Sequence, residues 1–158
     1  MPSLKTVKPT RAIAHPGSAT AKMRAEMYRA AYARINEATK AGFHLEAITI
    51  IESIVSDRLE SRLTHILGHD FSFQNLGSLI IKARQTEKDQ ILLGLVDKDL
   101  DNWRKARNKA LHEMAKIAVG DTSTWSDRVA GLVPISKDGL ALLRTIDKRI
   151  KALKSSGN

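Results

Sequence analysis

From His44 to Leu67 the sequence sets Leu45, Ile48, Ile51, Val55, Leu59, Leu63 and Ile66 at steps of three and four residues. Steps of that size return to one side of an α-helix, so the segment predicts a long amphipathic helix. Ile50 and Ile54 widen the stripe. A helix that is apolar on more than one side has to be enclosed by other elements, which makes this one central and buried. Gly68 begins the turn that follows, "GHDFSFQN".

The rest of the chain supplies the enclosing helices. A first helix starts near Ser18 or Thr20, either of which can cap it. It carries Met23, Met27, Ala30, Ala31, Ile35 and Ala38 at helical spacing and stops at Gly42. A third covers about Gln74 to Thr86, with Ser72 as its cap and Leu76, Leu79, Ile80 and Ala83 inward. The stretch "EKDQILLGLVDKD" reads as a short helix or turn.

A fourth long helix begins near Asp97 or Asp99, acids that suit a helix N-terminus, and runs to Gly120. Its apolar side holds Leu100, Trp103, Ala106, Ala110, Leu111, Met114 and Ala118. After a loop with a helical turn around Trp125 to Leu132, Ser136 caps a last helix. That helix has Leu140, Leu143, Ile146, Ile150 and Leu153 inward. Strand-like alternation persists nowhere for a useful length. The expected fold is all-α, an up-and-down bundle of four to five helices.

Residues 1–17 are expected to form a basic flexible tail. Lys5, Lys8 and Arg11 lack acidic neighbours there, and Pro2, Pro9, Pro16 and Gly17 interrupt regular structure. The bundle takes 18–154, and 155–158 a flexible C-terminus. At 158 residues the chain is long enough for one domain with its own core. It has no cysteine, which removes disulfides, thiolate metal sites and cysteine nucleophiles and suits a reducing cytoplasm. No apolar run reaches membrane-spanning length, and the N-terminus lacks a signal-peptide core, so a cytoplasmic protein without membrane contact is expected. With 26 Lys and Arg against 17 Asp and Glu, the formal charge is +9. An excess of that size favours a polyanionic partner, most simply nucleic acid.

The basic residues concentrate on the fourth helix, in "NWRKARNKALHEMAK". Asn108 and His112 are four apart and share a face, and Arg104 extends the same row. Arg107 lies five before His112, about 140° round the helix. An arginine is long enough to lean across that gap. Arg107 also follows Trp103 by four and precedes Leu111 by four, so its stem is expected to be partly buried and its guanidinium fixed. A fixed guanidinium fork suits a phosphate or a carboxylate. Histidine is the side-chain type best able to exchange a proton near neutral pH. On the second helix Glu46, Glu52, Asp57 and Glu60 can bring a carboxylate towards this group, with Glu52 the foremost candidate.

Arg107-Asn108-x3-His112, in a late helix of a small helical bundle, resembles the HEPN domain, a nucleotide-binding and ribonuclease superfamily. Its signature is Arg, often followed by Asn, then His after four to six residues. The resemblance covers residues 18 to 154 and includes the flanking "LVDKDLDNWRKARNKALHEM". It implies a metal-independent endoribonuclease, acting as a toxin or abortive-infection defence effector and needing no cofactor. It implies catalytic roles for Arg107, His112 and Asn108, with Arg104, Lys105 and Lys109 along an RNA groove. It also implies a homodimer that sets two such sites face to face, and an antitoxin or other inhibitor protein as partner.

RNA carries its own nucleophile beside the scissile phosphate, so proton transfer and charge stabilisation are all the protein has to supply. Glu113, directly after His112, is a carboxylate that can tune the histidine or repel RNA. The chain also resembles the small mannitol-operon repressors, which implies instead a non-catalytic regulator binding a nucleotide or a protein. A plain basic DNA- or RNA-binding bundle is a third reading. His65, His69 and Asp70 have metal-ligand spacing, but Gly68 breaks the helix between the histidines and no further ligand is evident. Aromatic residues are few, so a broad base-stacking platform is not expected.

Overall fold

In the computed structural model, which describes residues 7–157, every regular element is helical. The elements are α1 (Ala19–Ala41), α2 (His44–Leu67), α3 (Leu76–Thr86), α4 (Gln90–Gly94), a π-helical turn (Leu95–Leu100), α5 (Asp101–Glu113) and α6 (Trp125–Ser155). Backbone angles stay helical through both junctions of the π turn, so residues 90–113 form one rod. The molecule is therefore an all-α bundle of five rods.

The stripe on α2 places that helix at the centre, against α1, α3 and α6. Ile48, Ile51, Val55, Leu59 and Leu63 are fully buried, among Ile35 of α1, Leu79 and Ile80 of α3, and Leu143, Ile146 and Ile150 of α6. Gly68 ends α2 in the left-handed conformation (φ 70°), which glycine adopts without steric cost. Ser18 caps α1 as expected, accepting from the Ala21 amide at 3.1 Å.

Several boundaries and faces differ from the sequence reading. Asn75, not Ser72, caps α3 by accepting from the Ser78 amide; Ser72 is buried and accepts from the Arg11 amide instead. The fourth helix ends at Glu113 rather than Gly120, and Ala118 is exposed, not inward. From Ala115 to Asp127 every residue is exposed, and helices in proteins depend on packing an apolar face. The last helix starts at Trp125 and runs through Pro134. A Thr124–Asp127 capping box fixes its start, and Ser136 lies buried within it. Met23, Met27 and Ala30 of α1, Leu45 of α2 and Ala106 of α5 are exposed rather than inward.

The N-terminal segment is tied down in its described part. The Arg11 amide donates to Asp70 at 3.2 Å, and its guanidinium pairs with Asp57 on α2. Tyr28 donates to the same Asp57. Burial pushes the Asp57 carboxyl up, but the hydrogen bonds from Arg11 and Tyr28 outweigh it and hold it below the usual carboxylate range. Arg11 thus ties this segment to α2 and to the turn after it. Pro2 and Lys5 lie outside the described residues, as does Asn158 of the expected flexible end. Residues up to Ser155 continue α6.

Candidate functional site

The rod of residues 90–113 carries the candidate site. Asp89 caps its start, accepting from the Leu92 amide at 2.8 Å. Leu92, Val96 and Leu100 are all buried although consecutive four-residue steps drift around a 3.6-residue helix. The wider π turn absorbs that drift and keeps one side of the rod on the core. Sequence periodicity alone does not announce it.

Trp103 comes next. Its indole N–H donates to the Ile135 carbonyl of α6 at 2.9 Å, and its ring packs against that helix at Gly139. A β-carbon at Gly139 would lie 2.6 Å from Trp103 Nε1. So close an approach needs glycine there.

One turn on, the Arg107 guanidinium lies 5.9 Å from the centre of the Trp103 ring and pairs with Glu52 on α2. The Arg107 side chain is 14 % exposed and that of Glu52 28 %. Arg107 Nε is buried without a hydrogen-bond partner among the described residues. A buried unsatisfied donor is uncommon in folded proteins. The guanidinium is therefore fixed on two sides while part of its donor capacity is unspent.

Asn108 is half-buried beside it, and His112 is exposed on the last turn of α5. Among the described residues Arg107 and His112 share no hydrogen bond: one leans to α2, the other faces solvent. Lys109 is exposed. Arg104 and Lys105 are engaged elsewhere, both on Asp101, at 2.7 and 2.9 Å. Arg84 of α3 joins them at 3.1 Å. The hydrogen bonds from Lys105, then Arg104 and Arg84, outweigh burial and hold the Asp101 carboxyl well below the usual range. Asp101 precedes Arg104 by three and Lys105 by four, so helical spacing alone points to this pairing.

Of the other carboxylates on α2, Glu46 pairs with Arg34 at 2.6 Å, Asp57 with Arg11, and Glu60 accepts from the Gln74 amide at 3.0 Å. Only Glu52 reaches the motif helix. His69 lies beyond the Gly68 cap with Nδ1 3.2 Å from the Asp70 carbonyl, and no three His, Asp or Glu side chains gather as a metal site among the described residues. Glu113 helps line a cavity of about 570 Å³ with Lys116 and Asp121 of the loop leading into α6 and Arg128 of that helix.

No family model matches this chain, and no curated protein or solved structure matches it.

Proposed function

We propose that the chain is a metal-independent endoribonuclease of HEPN type, working as a homodimer. The observation that carries this reading is the Arg107 guanidinium, held by Glu52 and Trp103 on the helix that exposes His112 a turn and a half later. Arg107 binds a non-bridging oxygen of the scissile phosphate. It stabilises the charge that grows there as the 2′-oxygen attacks phosphorus. His112 of one copy takes the 2′-hydroxyl proton, and the same histidine of a second copy gives a proton to the departing 5′-oxygen. The bond from phosphorus to the 5′-oxygen breaks, leaving a 2′,3′-cyclic phosphate and a 5′-hydroxyl. Asn108 orients the phosphate or His112. Glu52 positions Arg107 and touches no substrate. Arg104 and Lys105 serve the fold through Asp101, which leaves Lys109 as the more available flanking cation.

The HEPN resemblance brings with it a role as a toxin or defence effector held in check by an inhibitor protein. The test is incubation of the purified protein with RNA in EDTA, with the ends identified chemically. Cyclic phosphate termini support the reading, and intact RNA under all conditions opposes it.

A second reading, a non-catalytic helical regulator of the mannitol-repressor kind, is favoured by one feature. Ile117, Val119 and Trp125, around the connection from α5 to α6, are all exposed, as a surface for a protein partner would be. Under that reading RNA stays uncut while a partner protein is retained.

A further inference from the structure

The chain has two tyrosines, and both lie on one side of α1, a turn apart, with Arg24 a turn before them. Tyr32 lines a shallow furrow with α6, and Tyr28 lies against Arg58 and Asp57 of α2. On the far bank Arg144, Lys148 and Lys151 recur along α6. With Tyr32 and Asp147 they enclose a depression of about 440 Å³. Asp147 is neutralised twice, by Arg58 of α2 at 2.6 Å and by Lys151 at 2.7 Å. Arg58 in turn lies 4.1 Å over the Tyr28 ring. At the end of the furrow Lys154 donates to Ser61 at 3.0 Å. Burial, then the nearby Arg58, Arg11 and Arg24, push its amine below the usual lysine range. Positive charge has thus accumulated here beyond what the local carboxylates cancel.

Taking Gly139, which faces Trp103, as zero, Lys137, Arg144, Lys148 and Lys151 fall within an arc of about 60° on the opposite side of α6. They extend over about 21 Å of helix. The exposed residues between them include the small Ala141 and Thr145. From Lys137 onward α6 exposes no large apolar side chain of the sort a membrane-surface helix inserts.

We infer that the furrow between α1 and α6 binds a single strand of RNA. Arg144 and Lys148 contact its phosphates and Tyr32 stacks on a base, while Lys151 is held on Asp147. Tyr28, covered by Arg58 and bonded to Asp57, supports the wall. This rests on the ribonuclease reading only in choosing RNA as the polyanion. The furrow lies on the side of α6 turned from α5, so it holds substrate at a distance from Arg107 and His112.

The experiment is fluorescence anisotropy with a labelled RNA oligonucleotide and the full chain carrying His112→Ala, so binding is read whether or not the motif cuts. Adding Arg144→Gln with Lys148→Gln lowers the salt slope of log affinity by about 1.4, at roughly 0.7 per cation on a single strand. Tyr32→Leu weakens binding at least fivefold, on the scale of about 1 kcal/mol or more per stacked base. Tyr32→Phe keeps the ring and binds as the parent. The inference is overturned if the double variant and Tyr32→Leu both bind like the parent, or if the parent does not bind RNA. It is also overturned if their losses appear only with single-stranded DNA or with anionic lipid vesicles. Cleavage by Arg107→Ala is scored separately, so failure of the nuclease reading leaves this result interpretable.

Discussion

Arg107 on α5 and Glu52 on α2 form the ion pair that joins the motif helix to the centre of the bundle. Their exposure puts the pair between a surface bridge, worth about 0–1 kcal/mol, and a buried one, whose breakage costs about 3–5. Glu52→Ala is therefore expected to destabilise the protein by about 1–2 kcal/mol in urea denaturation. Glu52→Gln keeps the shape and a hydrogen-bond acceptor but loses the charge. It should leave the thermal midpoint within a few degrees of the parent and lower RNA cleavage about tenfold, as loss of a positioning contact does. Unchanged cleavage in Glu52→Gln would remove Glu52 from the site.

Gly139→Ala tests how the site is buttressed. The added methyl meets the Trp103 ring well inside contact distance, so the indole must shift and its bond to Ile135 must lengthen. Overpacking of this kind costs about 1–3 kcal/mol. In a chain of this size that is a fall in the melting midpoint of several degrees, about 2–4 °C per kcal/mol. Because the Arg107 guanidinium neighbours that ring, cleavage should fall too. A variant with the parent's midpoint would show that Trp103 does not pack on Gly139.

How much of this was legible in the chain varies by element. The α2 stripe, the Gly42 and Gly68 stops and the Ser18 cap each follow from a strong local signal: periodicity, the left-handed conformation or a side-chain cap. Two local signals misled. Ser136 reads as the cap of a separate last helix, yet it lies inside α6, two residues past Pro134, where proline ordinarily interrupts a helix because it loses a donor and crowds the preceding turn. Here Pro134 and Ala130, whose carbonyl lacks its usual donor, are both exposed, so water can serve that carbonyl and α6 continues. Gly120 reads as a helix end, but the helix is already lost at Glu113 for want of packing, a tertiary fact. The Arg107–Glu52 contact was within reach as a charge pairing. Trp103 on Gly139 was not, since it depends on how two helices far apart in sequence cross.

Asp101 sets a pH dependence. Its carboxyl titrates lower in the folded protein than in the unfolded chain. Its contribution to stability is therefore complete above the unfolded carboxylate pKa, near 3.9. It is lost as acidification proceeds through that value towards the folded one. The urea midpoint of the parent should fall more steeply between about pH 5 and pH 2 than that of Asp101→Asn, whose side chain carries no titrating proton. Parallel profiles would mean that Arg84, Arg104 and Lys105 do not hold the charged form.

Cleavage of RNA in EDTA by the parent, Arg107→Ala and His112→Ala, each with its thermal midpoint, tests the central claim most directly. The nuclease reading predicts cyclic-phosphate products from the parent. It predicts losses of about a hundredfold or more in both variants, the scale of a general acid–base group or a charge-stabilising donor. His112→Ala, changed at an exposed position, should melt as the parent does. Equal cutting by all three proteins, or none by the parent, would contradict it.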